Sequence, residues 1–286
     1  MKAAVQDAPR AAGIDLANWN WKVVRLFIEK HFGRKLCRSS CVNYLHRLGF
    51  VLKRPKKRLL KADAEQRDAF VAAYAGLRIE AQSTGAKTFF VDEAHFRADA
   101  ELRAKWVLRG EPALVDSTSP RLGEKATYYS GICLETGEVE SMLVTGNCNA
   151  ETSAAFLRQL RAKHIEPLIV IWDNSPAHRG PEIRAYLTTP DLKLRLVALP
   201  AYSPDLNPDE AIWDWAREEV TANTCFGTAA KVQEKMDSFF AELAKRTTEA
   251  QRRCRTTLQA QADALMATAN QLFGQTNHVD LTLVSV

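Results

Sequence analysis

Residues 168–172, Leu-Ile-Val-Ile-Trp, form a run of five apolar side chains that stops abruptly at Asp173. A strand with one wet face alternates apolar and polar residues. A strand with no alternation is covered on both faces, so the run calls for a sheet with helices on each side. A second β-prone run, residues 87–91, likewise stops at acids, Asp92 and Glu93. Residues 127–134 read as a strand that turns at Glu135, Thr136 and Gly137 into another at 139–144, and residues 105–108 and 192–199 are also β-prone. Between these stand helical patterns at 149–164, with Phe156, Leu157 and Leu160 on one face, and at 181–187. Another helix starts near Asp209 and runs past Trp213 and Trp215. Residues 62–82 repeat Phe70, Tyr74 and Leu77 at helical spacing, and residues 228–273 are mostly helical in pattern. Three antiparallel strands, a helix, then alternating strand and helix predict a mixed α/β layer fold.

The basic residues are unevenly placed. Residues 1–61 hold 15 Lys and Arg against Asp7, Asp15 and Glu29, whereas the remainder holds 24 basic and 31 acidic residues. A basic arm on an acidic body is the asymmetry of a phosphate-neutralising module joined to one with another task. Within the arm, Trp21, Val24, Phe27 and Ile28 fall at helical spacing from Asn20, and Gly33 is a stop. A second helical pattern has Ser39 as candidate N-cap, Val42, Leu45 and Leu48 on one face, and Gly49 as the stop. The pair reads as a helix-turn-helix. Ser40, Asn43 and Arg47 stand on the opposite face, about one turn apart, where they can reach base edges or phosphates in a major groove. Residues 50–52 are strand-prone, and Lys53, Arg54, Lys56, Lys57 and Arg58 surround one proline, reading as a wing and linker along a phosphate backbone.

At 286 residues, 46% hydrophobic and 26% charged, the chain is long enough for two domains, and its composition excludes a disordered or collagen-like chain. It lacks an apolar run of the roughly 18 to 20 residues that a membrane span needs, and its start does not read as a signal peptide. A cytoplasmic, nucleoid-associated protein is expected. Six cysteines include no CxxC pair, so they are expected as free thiols.

Side chains converge where the strands of open α/β sheets stop, and Asp92 and Asp173 stand at such stops. Glu210 follows a proline-rich turn at the start of a helix. Three carboxylates drawn together repel unless a cation lies among them, and hard oxygen donors suit Mg²⁺ or Mn²⁺. Two such ions can activate a water or a 3′-hydroxyl and stabilise a leaving oxygen in phosphodiester chemistry. From pattern alone, three acids among 34 also fit ordinary surface charge.

The local words narrow this. Val91-Asp92-Glu93, the stretch WVLRGEP at 106–112, Asp173-Asn174 with His178, and LPAYSPDLNPDE at 199–210 followed by Trp213 make the chain resemble the IS630 branch of the IS630/Tc1/mariner transposases. The 36 residues between Asp173 and Glu210 are close to the spacing of that DDE group, and residues 21–58 look similar to the second, winged half of its DNA-binding region. The resemblance spans about residues 18–245. It implies an RNase H-like mixed sheet with flanking helices over residues 87–250, preceded by a small all-α winged helix-turn-helix domain at 1–61 and a helical connector at 62–86. A helical tail, 251–286, has no role assigned. It also implies that Asp92, Asp173 and Glu210 hold two Mg²⁺ or Mn²⁺ ions and that the chain binds double-stranded DNA, both terminal inverted repeats and target. Cleavage and strand transfer at TA sites, in a homodimer that synapses two ends, complete what the resemblance implies. Asn174 and His178 take supporting roles, with a structural role open for His178. Tyr202 and Ser203 shape the loop, and Trp213 and Trp215 belong to the core.

The chain departs from the family in two respects that bear on function. Only about 18 residues precede the winged half, so the family's first helix-turn-helix is expected either from an upstream frame or lost by truncation. Asp209 occupies a position that is commonly apolar and competes with Glu210 as third ligand, although the register after Asn207-Pro208 favours Glu210. A DNA-binding repressor without catalysis, or an RNase H-like nuclease without strand transfer, are the other functions this pattern permits.

Overall fold

The computed structural model describes residues 1–53, 63–118, 124–255 and 257–273. The chain divides into two compact units, Met1–Arg58 and Leu59–Val286.

In the first unit, α1 (Lys2–Gln6) and a 3-10 turn (Pro9–Ala12) precede α2 (Trp21–Phe32) and α3 (Arg38–Arg47). The Asn20 side chain caps α2 by accepting from the backbone N–H groups of Lys22 and Val23, and Gly33 ends the helix at φ 64°. Val23, Val24, Phe27 and Ile28 close on Ile14 and on Cys41 of α3. Helix α3 starts before Ser39, with Cys37 as its N-cap. Its buried residue is Cys41, with Leu45 packed one turn later, while Val42 is only half-buried. The inward stripe is therefore rotated from the expected 42/45/48 set, because the small Cys41 lets α3 approach α2 closely. The opposite face still presents Ser40, Asn43 and Arg47, all exposed. The strand expected at 50–52 does not form: these residues are irregular, Val51 and Leu52 are exposed, and no strand among the described residues pairs with them. Lys53 follows in the same irregular segment, and Arg54, Lys56, Lys57 and Arg58 lie outside the described residues.

The second unit is built on a five-stranded sheet of order β3-β2-β1-β4-β5. Strands β1 (Lys87–Arg97), β2 (Lys125–Cys133) and β3 (Val139–Val144) form an antiparallel meander, and β4 (Leu168–Trp172) and β5 (Leu194–Ala198) run parallel to β1. Alternate residues serve two cores. Phe89, Val91, Leu168, Val170 and Trp172 face one core with Phe156, Leu157 and Leu160 of α5 (Ala150–Lys163) and Ile183 of α6 (Pro181–Leu187). Phe90, Ala94, Phe96, Ile169 and Ile171 face the other, which is filled from α4 (Ala64–Thr84), α7 (Glu210–Ala216), α8 (Ala229–Leu243), α9 (Thr247–Arg253) and α10 (Thr257–Phe273). This two-sided coverage is what the unbroken 168–172 run encodes.

Two strand expectations need correction. Strand β1 does not stop at Asp92 but continues to Arg97, because β2 pairs with it as far as Arg97↔Lys125. Only the pairing with β4 ends early, at Phe90↔Ile171. Residues 105–108 form no strand; Trp106 and Leu108 are exposed in a long irregular connection, with no neighbouring strand among the described residues to complete their backbone hydrogen bonds. The connector and the tail are integral to the second unit: Phe70, Val71 and Tyr74 of α4 and Ala250, Cys254, Leu258 and Ala262 at the C-terminal end all lie in one core. Among the described residues no helix is long and apolar enough to cross a membrane, and all six cysteines are free.

Candidate active site

Asp92, Asp173 and Glu210 line a single cavity of about 540 Å³ at the C-terminal edge of the parallel strands. Each arrives by a different device. Asp173 is the residue after β4; its Oδ1 accepts from the Ser175 backbone N–H at 2.9 Å, which fixes the turn leaving the strand. Asp92 lies two residues beyond the last β1–β4 pair, where the loss of a neighbouring strand opens the sheet. Its Oδ2 accepts from the Trp213 indole N–H at 3.1 Å, so the buried Trp213 both packs the core and orients the acid. Glu210 opens α7 after the loop of residues 199–209. Leu199 extends β5 by bonding the Trp172 carbonyl, Tyr202 turns the chain at φ 57°, and Ser203 and Asn207 are buried. The Asn207 amide donates to the Val91 carbonyl at 3.1 Å, tying the loop to β1.

The acids differ in electrostatic state. Burial, followed by the like charges of Glu210 and Glu93, pushes the Asp92 carboxyl up to about 8. Glu210, exposed on the cavity wall, is also raised, by partial desolvation and by Asp214 against the opposing Arg217. For Asp173 partial burial works upward, yet the His178 hydrogen bond, the Ser175 N–H and nearby positive charge outweigh it, and the carboxyl is held below its ordinary range. His178 is buried, stacks on Trp172 with ring centroids 3.9 Å apart, and places Nδ1 2.6 Å from Asp173 Oδ1. Its Nε2 lies 3.4 Å from Glu93 Oε2. Burial opposes its charge, but Asp173 and Glu93 together raise it to about 9, so the ring is cationic at neutral pH, with Nδ1 hydrogen-bonded to Asp173 and Nε2 ion-paired with Glu93.

Among the described residues no three His, Cys, Asp or Glu side chains converge on one point as a closed metal cage. Acids spaced around a cavity wall suit Mg²⁺, which keeps several waters and takes one or two carboxylates together with substrate phosphate oxygens. The raised carboxyls of Asp92 and Glu210 show that their ionised forms are disfavoured in the cavity, which a dication would reverse. Asn174 lines the same cavity. Asp209 does not: it is fully buried and its Oδ2 accepts from the Ser130 hydroxyl, so it cannot compete with Glu210 at the cavity. Two participants were given no role by the sequence: Glu93, noted only as part of the Val91-Asp92-Glu93 stretch, is the second partner of His178, and the place of Ser130 opposite Asp92 emerges only with the β1–β2 register.

An antiparallel meander continued by two parallel crossover strands, with acids gathered where the parallel strands end, defines an RNase H-like α/β domain. The chain belongs to the DDE superfamily of endonucleases, whose family description matches residues 87–233; a winged helix-turn helix family matches residues 17–74. It is similar to the insertion element IS630 uncharacterized 39 kDa protein of Shigella sonnei, with 25% identity over 228 residues covering 78% of this chain. The chain spans 64% of the length of that relative. Among solved structures, the Mos1 strand transfer complex covers 92% of this chain and 78% of its own, with a TM-score of 0.60 and 18% identity. The Mos1 transposase paired-end complex with left transposon end covers 85% and 79%, with a TM-score of 0.57 and 18% identity. These structures share the fold.

Proposed function

We propose that the chain is a DDE transposase of the IS630/Tc1/mariner type, which binds the terminal inverted repeats of an insertion sequence, cleaves DNA and joins the ends to TA targets. The observation that carries this reading is the convergence of Asp92, Asp173 and Glu210 on one cavity from three separate elements. These residues would hold two Mg²⁺ or Mn²⁺ ions, which would polarise a water or 3′-hydroxyl and stabilise charge at the leaving oxygen. The Mos1 paired-end complexes with Mn and with Mg support divalent metals in this fold.

The chain's own residues prepare the site. His178, charged and donating through Nδ1, keeps Asp173 ionised and fixed in orientation. Trp213 holds one oxygen of Asp92 and leaves the other for the cavity. Asn174 at the cavity wall contacts the DNA strand being cut. In the first unit Ser40, Asn43 and Arg47 read the major groove, while Lys53 and the basic residues Arg54, Lys56, Lys57 and Arg58 neutralise phosphates. Bringing two element ends together requires a homodimer, working on nucleoid DNA in the cytoplasm.

The test is nicking of a duplex that carries the inverted repeats flanking the coding sequence. Cutting requires Mg²⁺ or Mn²⁺ and is abolished by Asp173→Asn, with DNA binding retained. Undiminished cutting by that variant overturns the assignment, and binding without any cutting by the natural chain identifies a repressor instead.

A further inference from the structure

Asp209 is a full carboxyl enclosed in the interior, and it does not line the cavity. It is completely buried at the N-cap of α7, yet its side chain makes no capping bond. An N-cap aspartate ordinarily accepts from the helix's first free N–H groups, a contribution of about 1 kcal/mol. Here Oδ2 accepts instead from the hydroxyl of Ser130, itself fully buried on β2, while Oδ1 has no partner. Ser130 is the cross-strand partner of Asp92 in the β1–β2 register, so the two side chains share one face of the sheet. The same helix sends Trp213 to Asp92, and Asn207 ties the preceding loop to Val91 while accepting from the Asp209 backbone N–H. A costly buried polar group that forgoes its local cap for a tertiary bond fixes position rather than adding stability.

We propose that Asp209 is a positioning residue: the Ser130–Asp209 clasp sets the start of α7 against β2, and so fixes the spacing between Asp92 and Glu210 that the divalent ions require. The clasp rests on the active-site reading above. Its consequence is that metal affinity and fold stability separate. Outer contacts that orient ligands typically affect metal affinity about 10- to 100-fold.

The experiment measures Mn²⁺ binding by electron paramagnetic resonance, and thermal unfolding without metal, on the full chain. Asp209→Leu, and the Ser130→Ala/Asp209→Leu pair that leaves no orphaned hydroxyl, are expected to bind Mn²⁺ at least about tenfold more weakly, with an unfolding temperature no lower than that of the natural chain. Asp209→Asn keeps an acceptor for Ser130 and restores binding to within about threefold, well inside the loss that outer-contact changes cause. Leucine variants that bind Mn²⁺ like the natural chain overturn the clasp alone. Leucine variants that lose binding only together with a lowered unfolding temperature reduce it to a structural contact and also overturn it. A natural chain that fails to bind Mn²⁺ overturns the active-site reading and the clasp with it.

Discussion

Replacing Asp92 by asparagine should make the metal-free protein more stable at neutral and alkaline pH, by an amount that the electrostatics of the cavity set. In the folded chain the carboxyl sits at about 8, against an ordinary value of 3.8, because of burial and the charges of Glu210 and Glu93. The folded state thus binds a proton that the unfolded chain has already released. Stability from this group is fully present below about pH 4 and is lost as pH rises toward 8. At full slope the loss is about 1.4 kcal/mol per pH unit, so between pH 5 and pH 8 it reaches at most about 4 kcal/mol. Asparagine does not titrate, and it keeps an oxygen to accept from Trp213. It also relieves Asp209, whose carboxyl is raised chiefly by burial and further by Asp92 and Glu210. The assay is urea unfolding in EDTA at each pH unit from 5 to 8, comparing natural chain and variant. The variant's advantage should grow steadily with pH, and Mg²⁺ should restore the natural chain at pH 8 while leaving the variant unchanged. Parallel stability curves for the two proteins would refute the claim that Asp92 is a strained, uncompensated charge.

Arg47→Ala should weaken binding to an inverted-repeat duplex and, if the guanidinium meets a phosphate, lower the log–log salt slope by about one, read by titration at several salt concentrations. Leu258→Ala, at a fully buried position of α10, should cost about 2–5 kcal/mol in thermal unfolding of the second unit. If the change proves neutral, the C-terminal helices do not belong to that core.

The layout of the candidate site was legible because it is written in strand physics. An apolar run that ends at an acid marks a buried strand delivering a side chain to the sheet's edge, and Asp173 behaves that way. Asp92 was found for a partly mistaken reason: the β-prone run does not end there, and what ends is its pairing with β4. Local periodicity sees a strand's residues but not its neighbours. The rotation of α3 escaped for a similar reason, since Cys41 ranks below Val42 as a core residue until close packing against α2 favours the smaller side chain. The tail reads as helical, but its place in the core does not show, because Ala250, Cys254 and Ala262 are small and mark a buried stripe only faintly.

What no sequence pattern could supply is the opposite charge states of two acids that share one cavity. Asp92, inside β1, and Asp173, just past the end of β4, are the same residue type, yet one is pushed up to about 8 and the other is held below its ordinary range. The difference comes from surroundings set by the fold: burial, then Glu210 and Glu93, push Asp92 up, whereas Asp173 is hydrogen-bonded to a buried imidazolium. Glu93 takes part in both effects, since it raises the neighbouring Asp92 and also helps hold His178 charged. One carboxylate therefore stands ready and ionised while the other holds a proton that a cation must displace, and environments that drive paired carboxyls apart in this way are how a single cavity assigns them different tasks.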